Sequence, residues 1–366
     1  MSMLSYLYTV NKRRVITLKK LLTDTPLNDL SQSSTKIGVM DPTIGTSNQG
    51  DFIIKDAVTQ HLNSLFPEAF FTNYPSQLHR QLDSVLQQRD NERLLFVAGT
   101  NLLSSNMDFY YQWKIGPLDA RFLKNRYILF GVGWWQYQPA TNPYTRWLYK
   151  NVLSKHYLHA VRDSYTEQKL RESGIANVLN TSCPTLWNMT ADHCRSIPTS
   201  RATDVVTTLT FYHKNVQYDK QLLDQLLSNY RYVYVWIQGV RDLDYLKELN
   251  YAHQERLIPI APSLSAFDSV LKQSDIEYVG TRLHAGVRAL QHGNRTLILA
   301  VDNRALEIGR DTNLNVIRRE EVDRVADFID SDYKTSIHLP QEAIAKWRNQ
   351  FSHLTEETLP TLTTTL

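Results

Sequence analysis

The chain has 366 residues, and its 40 lysines and arginines against 37 aspartates and glutamates leave a formal charge of +3. That length suggests two to three domains, and the near-balance of charge gives no global electrostatic case for nucleic acid. Hydrophobic residues at 42% allow a sizeable core, thirteen glycines and thirteen prolines exclude a collagen-like or low-complexity chain, and aromatics stand out at 11%.

In chain order, residues 1–35 read as a polar N-terminal extension. Its first ten residues are only mildly apolar and run into charges from Lys12, so the pattern of a cleaved signal peptide is missing. The basic run 12–20 is open to two readings, peripheral contact with an anionic membrane or a solvated helix face. The best apolar run, 127–135, is about half a membrane span. Two cysteines, Cys183 and Cys194, are too few for a disulfide framework. The expectation is a cytoplasmic protein, with any membrane contact at the inner face.

Residues 36–40 read as a short buried strand, followed by a loop to Asp51 and apolar residues at helical spacing over 52–65. Strands at 69–74, 93–98, 127–132, 157–161 and 177–179 alternate with helices at 77–88 and 163–172, and an aromatic-rich insertion separates 98 from 127. The Pro, Ser and Thr content of 192–204 marks a linker. The alternation restarts with strands at 205–211, 232–237, 256–260, 276–279, 297–301 and 316. Helices begin near Asp219, Asp242, Leu264, Leu283 and Asn303, and a last helix is expected at 341–351. The fold class is therefore α/β, with two Rossmann-like domains (36–191 and 205–339) facing a cleft and a tail, 340–366, that packs back on the first domain.

Ligands in such sheets lie beyond the carboxyl ends of the strands, so the loops there are the candidates for chemistry. After the first strand, Asn48, Gly50 and Asp51 open a helix whose free N–H groups suit an anion; a first-turn acid complementing the helix dipole is the equally weighted alternative. Neither a phosphate-binding Gly-Lys-Ser/Thr loop nor a Gly-x-Gly-x-x-Gly fingerprint is present. The segment Arg282-Leu283-His284-Ala285 runs from a buried strand straight into a helix, putting Arg282 and His284 at the cleft, with Arg288 one turn beyond on the face of His284. Two arginines beside a histidine at such a point suit a small polyanion. Arg162 ends a strand in the first half in the same way, ahead of a helix capped by Asp163 or Ser164. Asn101 follows a strand ending in Gly99, and with Asn48 and Gly50 it is an expected contact for a sugar acceptor. Trp134, Trp135 and Tyr137, with Tyr144 and Trp147 beyond, offer a stacking surface for a sugar or, alternatively, fill a core. No zinc spacing and no serine-hydrolase elbow occurs.

Taken together, Asn48-Gln49-Gly50-Asp51, Gly99-Thr100-Asn101, Gly131-Val132-Gly133, Val161-Arg162-Asp163, Cys183-Pro184 and Arg282-Leu283-His284-Ala285 resemble, in the right order, the motifs of the polysaccharide pyruvyl transferase family. Asp302 falls in the position of that family's next acidic loop, and Arg304 stands where its lysine is usual. The resemblance implies a fold similar to the GT-B glycosyltransferases and transfer of a pyruvyl group from phosphoenolpyruvate to a sugar or glycan acceptor, lipid-linked or not, as a cyclic ketal. It implies donor contacts from Arg162, Arg282, Leu283 and His284, to which charge adds Arg288 and Arg304. His284 is the expected general acid and Asp51 the expected base, with no cofactor or metal. The readings in competition are a glycosyltransferase of the same fold using a nucleotide sugar, and an inactive sugar-binding partner of a polysaccharide assembly complex.

Overall fold

In the computed structural model, which describes residues 35–251, 254–352 and 354, the first half alternates β1 (Lys36–Asp41), α1 (Gly50–Leu65), β2 (Phe70–Pro75), α2 (Leu82–Asn91), β3 (Leu94–Ala98), α3 (Pro117–Phe122), β4 (Tyr127–Val132), α4 (Pro143–Val152), β5 (His159–Val161), α5 (Ser164–Glu172) and β6 (Val178–Asn180). The pattern repeats through α6 (Ala191–Ser196), β7 (Asp204–Thr207), α7 (Val216–Asn229), β8 (Val233–Trp236), α8 (Asp242–Glu248), β9 (Leu257–Ile260) and α9 (Leu264–Leu271). It ends with β10 (Ile276–Gly280), α10 (Leu283–Gln291), β11 (Thr296–Ala300), α11 (Asn303–Thr312), β12 (Val316–Arg318), α12 (Val325–Asp330) and α13 (Gln341–Asn349).

The physical reason for the strands is burial along their whole length. β3, β4, β10 and β11 are buried at every position, which is the signature of interior strands in a parallel sheet covered on both faces. Helix starts follow from side-chain caps: Asn142, Asp163 and Ser263 each accept the backbone N–H three residues on, and Asp302 accepts that of Arg304. Pro143 at the first position of α4 has no N–H to leave unsatisfied there.

All pairings between these strands are parallel, and each half forms a six-stranded sheet, in the orders β2-β1-β3-β4-β5-β6 and β12-β11-β10-β7-β8-β9. The expected pair of Rossmann-like domains is therefore present. In the first sheet the winding reverses between β1 and β3, in the second between β7 and β10. A crevice opens beyond the strand ends at each reversal, and the two crevices face one another.

The stretch read as a linker opens with α6, whose cap, Thr190, accepts the N–H of His193. The chain returns at the end to the first domain. Ile344, Trp347, Phe351 and Leu354 pack with Phe96, Phe130 and Val58, and Trp347 stacks on Phe130 at 4.5 Å between ring centroids. One face of the first sheet is thus closed by residues some two hundred positions downstream. Among the described residues no helix is long and apolar enough to cross a membrane. The basic run 12–20 and the tail beyond 354 lie outside the described residues.

Candidate active site

The two crevices merge into one site. Loops after β1 and β3 contribute Asn48, Asp51 and Thr100, and the loop after β10 contributes Thr281, Arg282 and His284. Asp302 and Arg304 follow β11. The domains are held face to face by backbone and side-chain contacts: Gln49 N–H donates to the Gln238 carbonyl at 2.9 Å, and the Gln238 side-chain amide donates to Asn48 Oδ1 at 2.9 Å. An inner recess of about 20 Å³ beside His284 leads to an outer cavity of about 340 Å³ that reaches Tyr110 and Trp135.

Asp51 lies in the first turn of α1 and is buried. Its Oδ2 accepts from the Thr46 hydroxyl at 2.6 Å and from the Gln77 amide at 3.5 Å. Burial pushes its carboxyl up to about 6, against the pull of those donors and of Arg304. His284 is in the first turn of α10, whose N-cap residue, Arg282, makes no side-chain cap to the leading N–H groups. Burial lowers the His284 imidazole to about 3, with Arg304 and Arg162 adding repulsion, so it is neutral at pH 7. Its Nε2 lies 3.8 Å from Cys183 Sγ.

The guanidinium groups of Arg162 and Arg282, both buried, and of the partly buried Arg304 stand around this histidine. Arg282 donates from Nη2 to both Asp242 oxygens at 2.7 Å and from Nε to the Leu209 carbonyl at 3.2 Å. Its plane stands 4.6 Å above the Tyr212 ring. Arg304 forks onto Asp302 and donates to the Tyr212 hydroxyl at 3.0 Å. Although burial opposes it, Arg304 holds the Asp302 carboxyl down at about 2. Arg162 bonds Asp163 and Asn101, while its Nη1 is buried without a partner. A buried N–H with no acceptor costs free energy, and an anion would supply the missing acceptor.

The sequence-expected residues divide accordingly. Asn48, Asp51, Arg282, Leu283, His284 and Arg304 line the recess. Asn101 and Trp135 line the outer cavity, and Trp135 stacks on Tyr110 at 3.6 Å and 19°. Arg162 lines neither cavity and stands behind Asn101, to which its Nη2 donates.

Four placements correct the sequence reading. Trp134 is fully buried in the first-domain core, its Nε1 donating to Gln138, and offers no face to a sugar. Arg288 shares a helix with His284 but reaches away, bidentate to Asp268 and bonded to Asp56. Gly50 packs under Gln238, whose Nε2 would be 2.7 Å from an added Cβ, so it serves the domain contact and not an acceptor. Tyr137 is 57% exposed outside this site and donates its hydroxyl to Glu307 of the second domain.

Several lining residues escaped the sequence reading. Tyr212 carries no motif of its own; the strand expected over 205–211 ends at Thr207, and residues 211–213 turn over the site. Tyr110, Gln112 and His213 also face the outer cavity, and nothing in their local sequence marks them. Among the described residues, no group of three or more His, Cys, Asp and Glu is placed to hold a metal ion.

No curated protein matches the chain by sequence. Among solved structures, the chain is similar to a UDP-GlcNAc 2-epimerase of Methanocaldococcus jannaschii in complex with UDP-GlcNAc and UDP, at 11% identity and TM-score 0.49, over 88% of this chain and 100% of that one. A glycosyltransferase from Rickettsia africae ESF-5 is similar at 9% identity and TM-score 0.37, over 89% and 94%. A family model matches residues 48–303, a span that begins at the Asn48 loop and ends beside Arg304, and the chain belongs to the polysaccharide pyruvyl transferase family.

Proposed function

We propose that the protein moves the pyruvyl group of phosphoenolpyruvate onto two hydroxyls of a sugar in a surface polysaccharide or its precursor, forming a cyclic ketal and releasing phosphate. The observation that carries this reading is the convergence of Arg162, Arg282 and Arg304, one from the first domain and two from the second, on the uncapped helix start at His284. Phosphoenolpyruvate brings a phosphate and a carboxylate, which guanidinium groups from opposite domains would orient across the cleft.

The charges suit the reaction. His284 is neutral because burial and two guanidiniums disfavour its proton. A bound trianion offsets those guanidiniums and so loads the imidazole with the proton it must give. That proton goes to the vinyl CH₂, which becomes the methyl group, and the central carbon turns electrophilic. An acceptor hydroxyl bonds to that carbon, losing its proton to Asp51, whose elevated titration keeps it a usable base near neutrality. The second hydroxyl then bonds to the same carbon as the carbon–oxygen bond to phosphate breaks. Of the two hydroxyl protons, one balances that given to the methyl and the other leaves with phosphate.

The inner recess is little larger than a water molecule. Phosphoenolpyruvate would therefore meet Arg282 and Arg304 from the outer cavity, which both residues also line, beside Tyr212. In the outer cavity, Trp135 stacked on Tyr110 gives a flat apolar surface for the acceptor ring.

Incubation with phosphoenolpyruvate and candidate glycans, followed by phosphate release and acceptor mass, tests the proposal. A gain of one three-carbon unit with stoichiometric phosphate is expected. A hexose gain with a released nucleotide, when nucleotide sugars are supplied instead, would assign a glycosyltransferase. Binding of glycan with no transfer from either donor would leave the sugar-binding role.

A further inference from the structure

The insertion between β3 and β4 turns one side of a wall to the active site and the other to a second depression, of about 390 Å³. Tyr110 and Gln112 face the outer cavity of the site, whereas Met107, Tyr111 and Lys114 face this depression. Around it stand large apolar side chains that packing leaves in water. Phe109 is 91% exposed, Leu118 51% and Trp147 45%. The core accounts for the inward residues of α4, where Thr145, Leu148, Tyr149 and Val152 are buried, and leaves Trp147 on the outside.

Among the described residues, the exposed charges around these apolar groups are mostly positive. Outward positions from α3 to α4 carry Arg121, Lys124, Arg146 and Lys150, all exposed. The acid of α3, Asp119, is buried against Arg80, and α4 contains none. The exposed acid at the rim, Asp108, accepts a hydrogen bond from Asn142 at 2.6 Å. Stacking on a saccharide has no use for such a set of cations. Aromatic and aliphatic groups ringed by lysine and arginine match the interface of a bilayer bearing anionic headgroups, where the rings enter the headgroup layer and the long basic side chains stay at its surface.

We propose that Phe109, Leu118 and Trp147, with the cations of α3 and α4, dock the first domain on an anionic lipid bilayer. The docking rests on this surface alone. Its service to the reaction rests on the pyruvyl-transfer reading: a sugar anchored to the same membrane would reach Trp135 and Tyr110 from the other side of one short wall.

Co-sedimentation with unilamellar vesicles decides the matter. The full chain is expected to pellet with phosphatidylcholine–phosphatidylglycerol vesicles, to stay in solution with phosphatidylcholine alone, and to be released by added salt. Phe109→Ser with Trp147→Ser, and separately Arg121→Gln with Arg146→Gln and Lys150→Gln, are each expected to weaken binding by about tenfold or more at unchanged melting temperature. Neutralising Lys12, Arg13, Arg14, Lys19 and Lys20 should leave most of the binding in place. The proposal is overturned if the chain ignores anionic vesicles, if both surface variants bind normally, or if only the 12–20 variant loses binding. Both surface variants should transfer pyruvyl to a water-soluble acceptor at the rate of the unaltered chain. If no acceptor is pyruvylated while the vesicle results stand, the transfer reading fails and the docking surface remains.

Discussion

Asp51 and His284 face one recess, yet burial moves their proton affinities in opposite functional senses. The carboxyl rises to about 6 and the imidazole falls to about 3, because burial disfavours the charged form of each, so the acid role of His284 depends on a bound anion restoring its proton affinity. Because Asp51 must be ionised to take the acceptor proton, kcat should rise with pH through about 6, and Asp51→Asn should remove that limb and lower kcat by about 10²-fold or more, read from a pH–rate series. The same residue should register in stability. With its folded pKa above the unfolded value, its contribution is complete below the ordinary carboxylate range and is lost as pH rises through about 6. Asp51→Asn should therefore melt higher than the unaltered chain at pH 8 and not at pH 4, by roughly 1–3 kcal/mol. His284→Asn is expected to cut turnover by about 10²–10⁴-fold with little change in melting temperature, and near-normal turnover would remove His284 from the acid role.

At the level of elements, the strand ends are shaped around the arginines. Gly133, just past β4, lies against Arg162 so closely that an added Cβ would come 2.0 Å from the guanidinium carbon. Gly133→Ala should thus displace Arg162 without undoing the sheet, raising KM for phosphoenolpyruvate by about 10–100-fold while the melting temperature falls by a few degrees. Gly99 is comparable: its φ is +50° and an added Cβ would lie 2.2 Å from Ile54 of α1. Much at this scale was legible in the sequence, because it is locally written. A buried apolar run that ends in a glycine or a capping Asp or Ser marks a strand end and a helix start, which is how Asp163 and Arg282 are legible, whereas Asp302 follows from the family resemblance. What eluded reading was the direction of long or ambivalent side chains. A tryptophan pair in a loop looks the same whether it faces core or cleft, and Trp134 went inward while Trp135 did not. Arg288 shares the helix face of His284, but its partner Asp268 belongs to α9, and no local rule announces that pairing. Tyr212 has no motif of its own to mark it.

For the whole molecule, the site exists only while the domains keep their relative position, which no local pattern encodes. Asp311 of α11 is one of the pins. It accepts from the Ser164 backbone at 2.6 Å, from the Ser164 hydroxyl at 2.8 Å and from Asn180 at 2.9 Å, and Ser164 begins the helix directly after Arg162. Asp311→Ala should loosen Arg162 relative to Arg304, raising KM for phosphoenolpyruvate by about tenfold with a smaller effect on kcat. A structural role confined to α11 would leave KM unmoved. The returning helix bears on stability instead. Trp347→Ala empties the space against Phe130 and Phe96 and should cost about 3–5 kcal/mol, seen as a lower denaturant midpoint.

That same return of the chain sets a schedule for its making. A ribosome releases residues in order, and domains commonly fold as they emerge. Here the first domain emerges without Trp347 and Phe351, so the part of one sheet face that α1 does not cover stays open while the whole second domain is being synthesised. The second sheet, by contrast, has all its strands by residue 318. The half made first is thus the half finished last, and during that interval its open face is the surface on which chaperones would act.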